Sequence, residues 1–141
     1  MKNLDLTLTR LIPAARQRVF NAWLDSDVLA QFMLPGPGMS VPKAEVDPRE
    51  GGSFLIVMKV GDKEIPHRGE YRTLDRHERI AFTWNSPHAA TDSLVTLTFE
   101  ERSPSETLLT LHHTGFDSEK MRDDHQGGWT AIVAQLGRSL G

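Results

Sequence analysis

The sequence predicts a single α+β domain over residues 1–141, with seven antiparallel strands, two short helices after the first strand and one long helix at the C-terminal end. Three observations predict it. The N-terminal segment passes from a period of two to helical spacing, the middle of the chain is a succession of short strand-like runs separated by turn residues, and the last segment carries an apolar stripe of period 3.6. A chain of 141 residues can bury about two-thirds of its unfolded surface in one core.

Leu4, Leu6 and Leu8 alternate with Asp5, Thr7 and Thr9, the pattern of a strand with one buried face. Pro13 suits a first helical turn, and Val19, Phe20, Trp23 and Leu24 then recur at helical spacing. Ser26 is placed to cap a second short helix through Val28, Leu29, Phe32 and Met33, which Pro35-Gly36-Pro37-Gly38 must end. Strands are expected over 41–46, 54–60, 64–74, 80–84, 93–100 and 107–114, with turns at 47–52, 61–62, 75–78, 85–92 and 103–105. In the last segment Trp129, Ile132, Val133, Leu136 and Leu140 form one helical stripe, which Met121 and His125 extend backwards. Gly127 and Gly128 each weaken a helix interior by about 1 kcal/mol, so the spacing predicts a bend, a late start or a close neighbour there.

The run 54–58 is apolar on both faces, where an antiparallel strand with one solvated face should alternate. Either a helix or a second subunit must cover the other face, and a homodimer is the expectation.

Hydrophobic residues are 38% of the chain and charged residues 25%, a folded composition. The net charge is −3 with both signs interspersed, which leaves no basic face for a nucleic acid. The absence of cysteine excludes disulfides, thiolate nucleophiles and cysteine-held metals. The first residues alternate in polarity and lack the apolar core of a signal peptide, and the run 54–58 is too short to span a bilayer. A cytoplasmic protein without membrane insertion is expected.

Six histidines, at 67, 77, 88, 112, 113 and 125, raise the question of a metal. His112 and His113 are adjacent on a strand and must point to opposite faces, His77 and His88 fall in turns, and His125 has no second histidine one turn away. No metal and no cofactor are expected. No serine sits in a Gly-x-Ser-x-Gly elbow, and Gly36-Pro37-Gly38 has neither the third glycine of a dinucleotide loop nor the lysine of a phosphate loop. Glu50-Gly51-Gly52-Ser53 joins two strands, so its glycines supply positive φ in a turn. The acidic pairs Asp47 with Glu50, Glu100 with Glu101 and Asp123 with Asp124 fall at solvated positions, so no catalytic set is assigned.

The inward faces are more informative. Leu109, Leu111 and His113 share one face, as do Ile80, Phe82 and Trp84, and Ile65, His67, Gly69 and Tyr71. An apolar hollow with His67, Tyr71, Trp84 and His113 as polar handles has the make-up of a small-molecule pocket. A filled core whose polar groups bond to backbone is the alternative. Trp129 opens the helical stripe and should lie against the sheet near His113 and Trp84.

Several stretches carry a family likeness. Val19-Phe20-Asn21-Ala22-Trp23-Leu24-Asp25, Ala44-Glu45-Val46-Asp47-Pro48-Arg49-Glu50-Gly51-Gly52-Ser53-Phe54, Gly69-Glu70-Tyr71-Arg72, Phe82-Thr83-Trp84, Val95-Thr96-Leu97-Thr98-Phe99, His113-Thr114-Gly115-Phe116 and Gly128-Trp129 occur in that order. Together they resemble the START-like (SRPBCC, Bet v 1-like) superfamily, and within it proteins similar to the activator of heat-shock protein 90 ATPase. The resemblance implies a helix-grip fold, a curved seven-stranded sheet wrapped around the C-terminal helix. It also implies a cavity for a lipid, polyketide or aromatic compound, with no catalytic set in common. A polyketide cyclase or aromatase working through His113 or His67 with Tyr71, and a chaperone ATPase regulator, are the alternative functions. Gln31-Phe32-Met33-Leu34-Pro35 stands where the family more usually has tryptophan, near the implied cavity mouth, so Phe32 joins His67, Tyr71, Trp84, His113 and Trp129 as an expected ligand contact.

Overall fold

The computed structural model describes residues 4–87 and 93–140; His88 and the rest of 88–92, the greater part of the turn read at 85–92, lie outside the described residues. The elements run β1 Leu6–Ile12, α1 Arg16–Ala22, α2 Ser26–Phe32, β2 Met39–Val46, β3 Ser53–Val60, β4 Lys63–Asp75, β5 Arg79–Trp84, β6 Ser93–Ser103, β7 Glu106–Thr114 and α3 Glu119–Leu140. The strands form one curled sheet in the order β1-β7-β6-β5-β4-β3-β2, antiparallel throughout. β1 crosses over to lie beside β7, and the remaining strands follow as a meander. This is the α+β helix-grip architecture expected from the sequence.

Alternation places the core where the spacing predicts. Val95, Leu97 and Phe99, Leu109, Leu111 and His113, and Ile80, Phe82 and Trp84 are all buried on the inner face. Against them α3 lays Trp129, Ile132, Val133, Leu136 and Leu140, and Phe20, Trp23, Leu29 and Phe32 from α1 and its sequel close the same core.

Local signals were off by a residue or more at the helix starts. α1 begins at Arg16 rather than at Pro13, with Ala15 as an N-cap that offers no side-chain bond. α2 is capped by Asp25 rather than Ser26: the Asp25 carboxylate accepts from the backbone N–H groups of Asp27 and Val28 at 2.9 and 3.3 Å. A carboxylate in extended backbone reaches two orphan donors, and that displaces Ser26 into the helix.

α3 is unbroken across Gly127 and Gly128. Of the three options left by the sequence, the close neighbour is the one observed, because a Cβ on Gly128 would lie 3.2 Å from the Cβ of Pro35. Of the two glycines in the 47–52 turn only Gly51 takes positive φ, at 84°.

On the outer face of β3, Val57 is 9% exposed within one chain, paired with Lys43 and Pro66 of the flanking strands. Among the described residues only Leu11 and Val60 are large apolar side chains in the open. No described helix is long and apolar enough to cross a membrane.

Candidate functional site

Between the inner face of the sheet and α3 lies a cavity of about 220 Å³. Its sheet wall is Met58 from β3, Ile65 and His67 from β4 and Trp84 from β5. Its helix wall is His125, Gly128, Trp129 and Ile132, with Asp124 at the edge, and Pro35 and Met39 form the rim. The period of two selects the first group and the period of 3.6 the second, so both walls follow from element periodicity. The apolar and aromatic lining, drawn from two opposed elements with a few polar atoms, is the make-up of a ligand site.

Gly69 shapes the sheet wall. It lies opposite Phe54, and a Cβ there would meet the Thr83 carbonyl oxygen at 1.9 Å and the Phe54 ring at 2.5 Å. Beside it the Glu70 N–H is taken by the Thr83 hydroxyl at 2.9 Å, while Arg68 and Asn85 exchange backbone bonds of 2.8 Å. The close approach seats Phe54 against Trp84, with ring centroids 6.1 Å apart, and Trp84 in turn meets His67 and Trp129, each at 4.9 Å.

The six expected contacts divide into two groups. His67, Trp84 and Trp129 line the cavity. His113, Tyr71 and Phe32 do not. Phe32 is fully buried, edge-on to Trp23 at 5.0 Å, because α2 packs inward there instead of shaping the mouth. Tyr71 borders a separate inner void of about 10 Å³, together with Trp23, Leu29, Met33, Phe54 and Trp84. Burial raises the Tyr71 hydroxyl pKa above its ordinary value, with Asp47 adding to the rise, so it stays protonated.

His113 sits behind the wall, and its bonds fix its state. The Trp129 Nε1–H donates to His113 Nδ1 at 3.0 Å. The Ser93 hydroxyl spends its one proton on the Trp84 carbonyl at 2.7 Å, so the 2.9 Å contact between His113 Nε2 and Ser93 Oγ must carry a proton on Nε2. His113 is therefore the neutral Nε2–H tautomer with both nitrogens used. Burial pushes its pKa down to about 3, with His125 and His112 adding to the shift. The satisfied-core alternative thus describes His113, and the pocket reading describes His67, Trp84 and Trp129.

Sequence reasoning missed Met58, Gly128 and Ile132 as lining residues, although strand alternation from Phe54 and the helical stripe from His125 contained them. Pro35 and Met39 carried no such signal, because only the tertiary approach of the segment after α2 to α3 brings them to the rim. A larger surface groove of about 590 Å³ runs between α1, α2 and the end of α3. Gln17, Arg18, Asn21, Asp25 and Gln31 share its lining with Ala15, Ala22, Val28 and Leu140, so it is less apolar than the cavity and has no aromatic wall. Among the described residues no cluster of three or more histidines and carboxylates could hold a metal.

A curled seven-stranded sheet closed on a C-terminal helix, with an apolar cavity between them, defines a START-like helix-grip domain. More narrowly, the family model described as Activator of Hsp90 ATPase homolog 1-like protein matches residues 13–141, and the chain belongs to that family. Among solved structures it is similar to a protein from Chromobacterium violaceum, at 27% identity and a TM-score of 0.87 over 99% of this chain and 98% of that one. It is also similar to the AHSA1 protein from Silicibacter pomeroyi, at 25% identity and a TM-score of 0.80 over 96% of both chains. An HSP90 activator from Plasmodium falciparum shares the fold, at 22% identity and a TM-score of 0.77 over 97% of this chain and 96% of that one. No curated protein matches the sequence.

Proposed function

We propose that the protein binds a small hydrophobic molecule in the cavity between the sheet and α3. The observation that carries this reading is the cavity itself, a hollow of about 220 Å³ whose two walls are built from the apolar stripes of opposed elements. A ligand there stabilises the folded state by linkage, so a panel of fatty acids, terpenes and aromatic compounds should contain members that raise the melting temperature and quench tryptophan fluorescence saturably. A flat response across the panel would refute the reading.

Binding is preferred to catalysis because, of the three residues named for proton transfer, only His67 lines the cavity. Both nitrogens of His113 are bonded, and Tyr71 borders the inner void rather than the cavity. A second reading, regulation of a chaperone ATPase, is favoured by the family description and by the fold shared with the Plasmodium falciparum activator. Addition of the protein to a purified chaperone of that class, with ATP turnover as the readout, decides it. A homodimer would use the outer face of β3 around Leu55; a one-chain mass in sedimentation at micromolar concentration rules it out. The setting proposed is cytoplasmic, and cell fractionation checks it.

A further inference from the structure

The apolar wall of the cavity continues along the sheet beyond the cavity itself. Met58 pairs across the ladder with Ile65, and both line the hollow. Two residues further along β3, on the same inner face, stands Val60, whose direct partners are Met39 in β2 and Lys63 in β4. Met39 belongs to the cavity rim, so the rim and Val60 share one cross-strand row. Val60 is 41% exposed, and among the described residues the only other large apolar side chain in the open is Leu11, on the edge strand β1. A lone exposed valine needs no explanation, but here it extends a cavity wall by one further row.

The size of the cavity gives that row a use. A hollow of roughly 150 Å³ holds the six carbons of benzene, so one of about 220 Å³ holds roughly nine. A longer chain has to leave by the mouth, whose rim is of two kinds. Where Asp124 forms it, the carboxylate is paired with Lys120 at 2.8 Å, and an alkyl chain laid there would desolvate charged groups without compensating them. Where Pro35 and Met39 form it the rim is apolar, and Met39 leads directly to Val60, about 7 Å along β3 from Met58. The ladder closes there, with the exposed Lys63 opposite Val60, so a polar head group at that end stays in water.

Resting on the ligand-binding reading, we infer that the ligand is an elongated aliphatic molecule of more than about nine carbons, whose end fills the cavity and whose chain crosses Met39 onto Val60. Val60 then sets the preference for long chains over short ones. Octanol and dodecanol, titrated below their aggregation limits, hold the head group constant and vary the length: the first fits within the hollow and the second overhangs it. Dodecanol should bind the intact protein at least tenfold more tightly than octanol. Val60→Thr keeps the branched shape at an exposed strand position and replaces one methyl group by a hydroxyl. It should lower the dodecanol-to-octanol affinity ratio about threefold and leave the melting temperature of the free protein unchanged, whereas Leu11→Thr should leave the ratio as it is. In the unaltered protein the Val60 methyl resonances should move with dodecanol and not with octanol, a readout that needs no variant. If octanol binds but affinity stops rising beyond it, or if Val60→Thr leaves the ratio unchanged, the track is overturned while the ligand-binding reading survives. An equal fall in Leu11→Thr also overturns it, since the long chain would then be adsorbing to exposed apolar side chains in general. If neither alcohol binds, the ligand-binding reading falls and this inference with it.

Discussion

At the scale of single residues, His113 determines how the region behind the cavity responds to pH. Its folded pKa of about 3 lies below the ordinary histidine value of about 6.5. Between those values the unfolded chain holds a proton that the native chain does not, so stability is full above about pH 6.5 and falls on acidification. The loss should approach 1.4 kcal/mol per pH unit below pH 6, and denaturant unfolding between pH 7 and 5 should show it, with a shallower slope in His113→Gln. An unchanged slope in that variant would mean that His113 does not titrate as its bonds require. Trp129 is tied to the same network. Trp129→Ala should cost about 3–5 kcal/mol through the void it leaves, and Trp129→Phe about 1–3 kcal/mol, because it strands the Nδ1 acceptor of His113. Melting curves of the two variants check the order. Nothing in the sequence told His113 from His67, since both lie on inward faces. Their roles differ because Ser93 and Trp129 converge on one of them, a meeting of β6, β7 and α3 that no single element's pattern contains.

At the scale of elements, the two glycines of α3 look alike in the sequence and differ in the structure. A Cβ on Gly127 would meet nothing within 4 Å, so Gly127→Ala should stabilise the protein by about 0.5–1 kcal/mol through helix propensity and a stiffer unfolded chain. At Gly128 the Cβ would press on Pro35, which has to shift by a few tenths of an ångström, so Gly128→Ala should gain less stability and change ligand affinity at the rim. Calorimetric melting paired with a ligand titration separates the two. In β4, Gly69→Ala should be severely destabilising, by more than about 3 kcal/mol, since the backbone oxygen of Thr83 and the Phe54 ring cannot both retreat. Expression and unfolding of that variant test the claim. Strand faces and the helical stripe were legible because each is set by local periodicity. The caps were not, because Asp25 and Ser26 compete for one role and backbone geometry alone decides between them.

For the whole molecule, the order of elements and the inward residues were readable because a meander pairs strands that are neighbours in sequence. Only β1 departs from that order, crossing to β7, and its pairing of Leu6 with His113 and Ile12 with Thr107 was not legible from its own alternation. The cavity was half legible. Its two walls follow from periodicity, but its volume and its rim depend on where α3 and the Pro35 segment stop against each other. The expectation that a helix or a second subunit covers β3 was read from that strand alone, and in the folded sheet Val57 is buried between its strand partners Lys43 and Pro66. The central claim is that this one hollow, and not the larger groove by α1 and α2, receives the ligand. Isotope-filtered NMR on the intact protein with bound octanol tests it most directly. The account predicts contacts from the ligand to the methyl groups of Met39, Met58, Ile65 and Ile132, whereas contacts to Ala22, Val28 and Leu140 instead would contradict it.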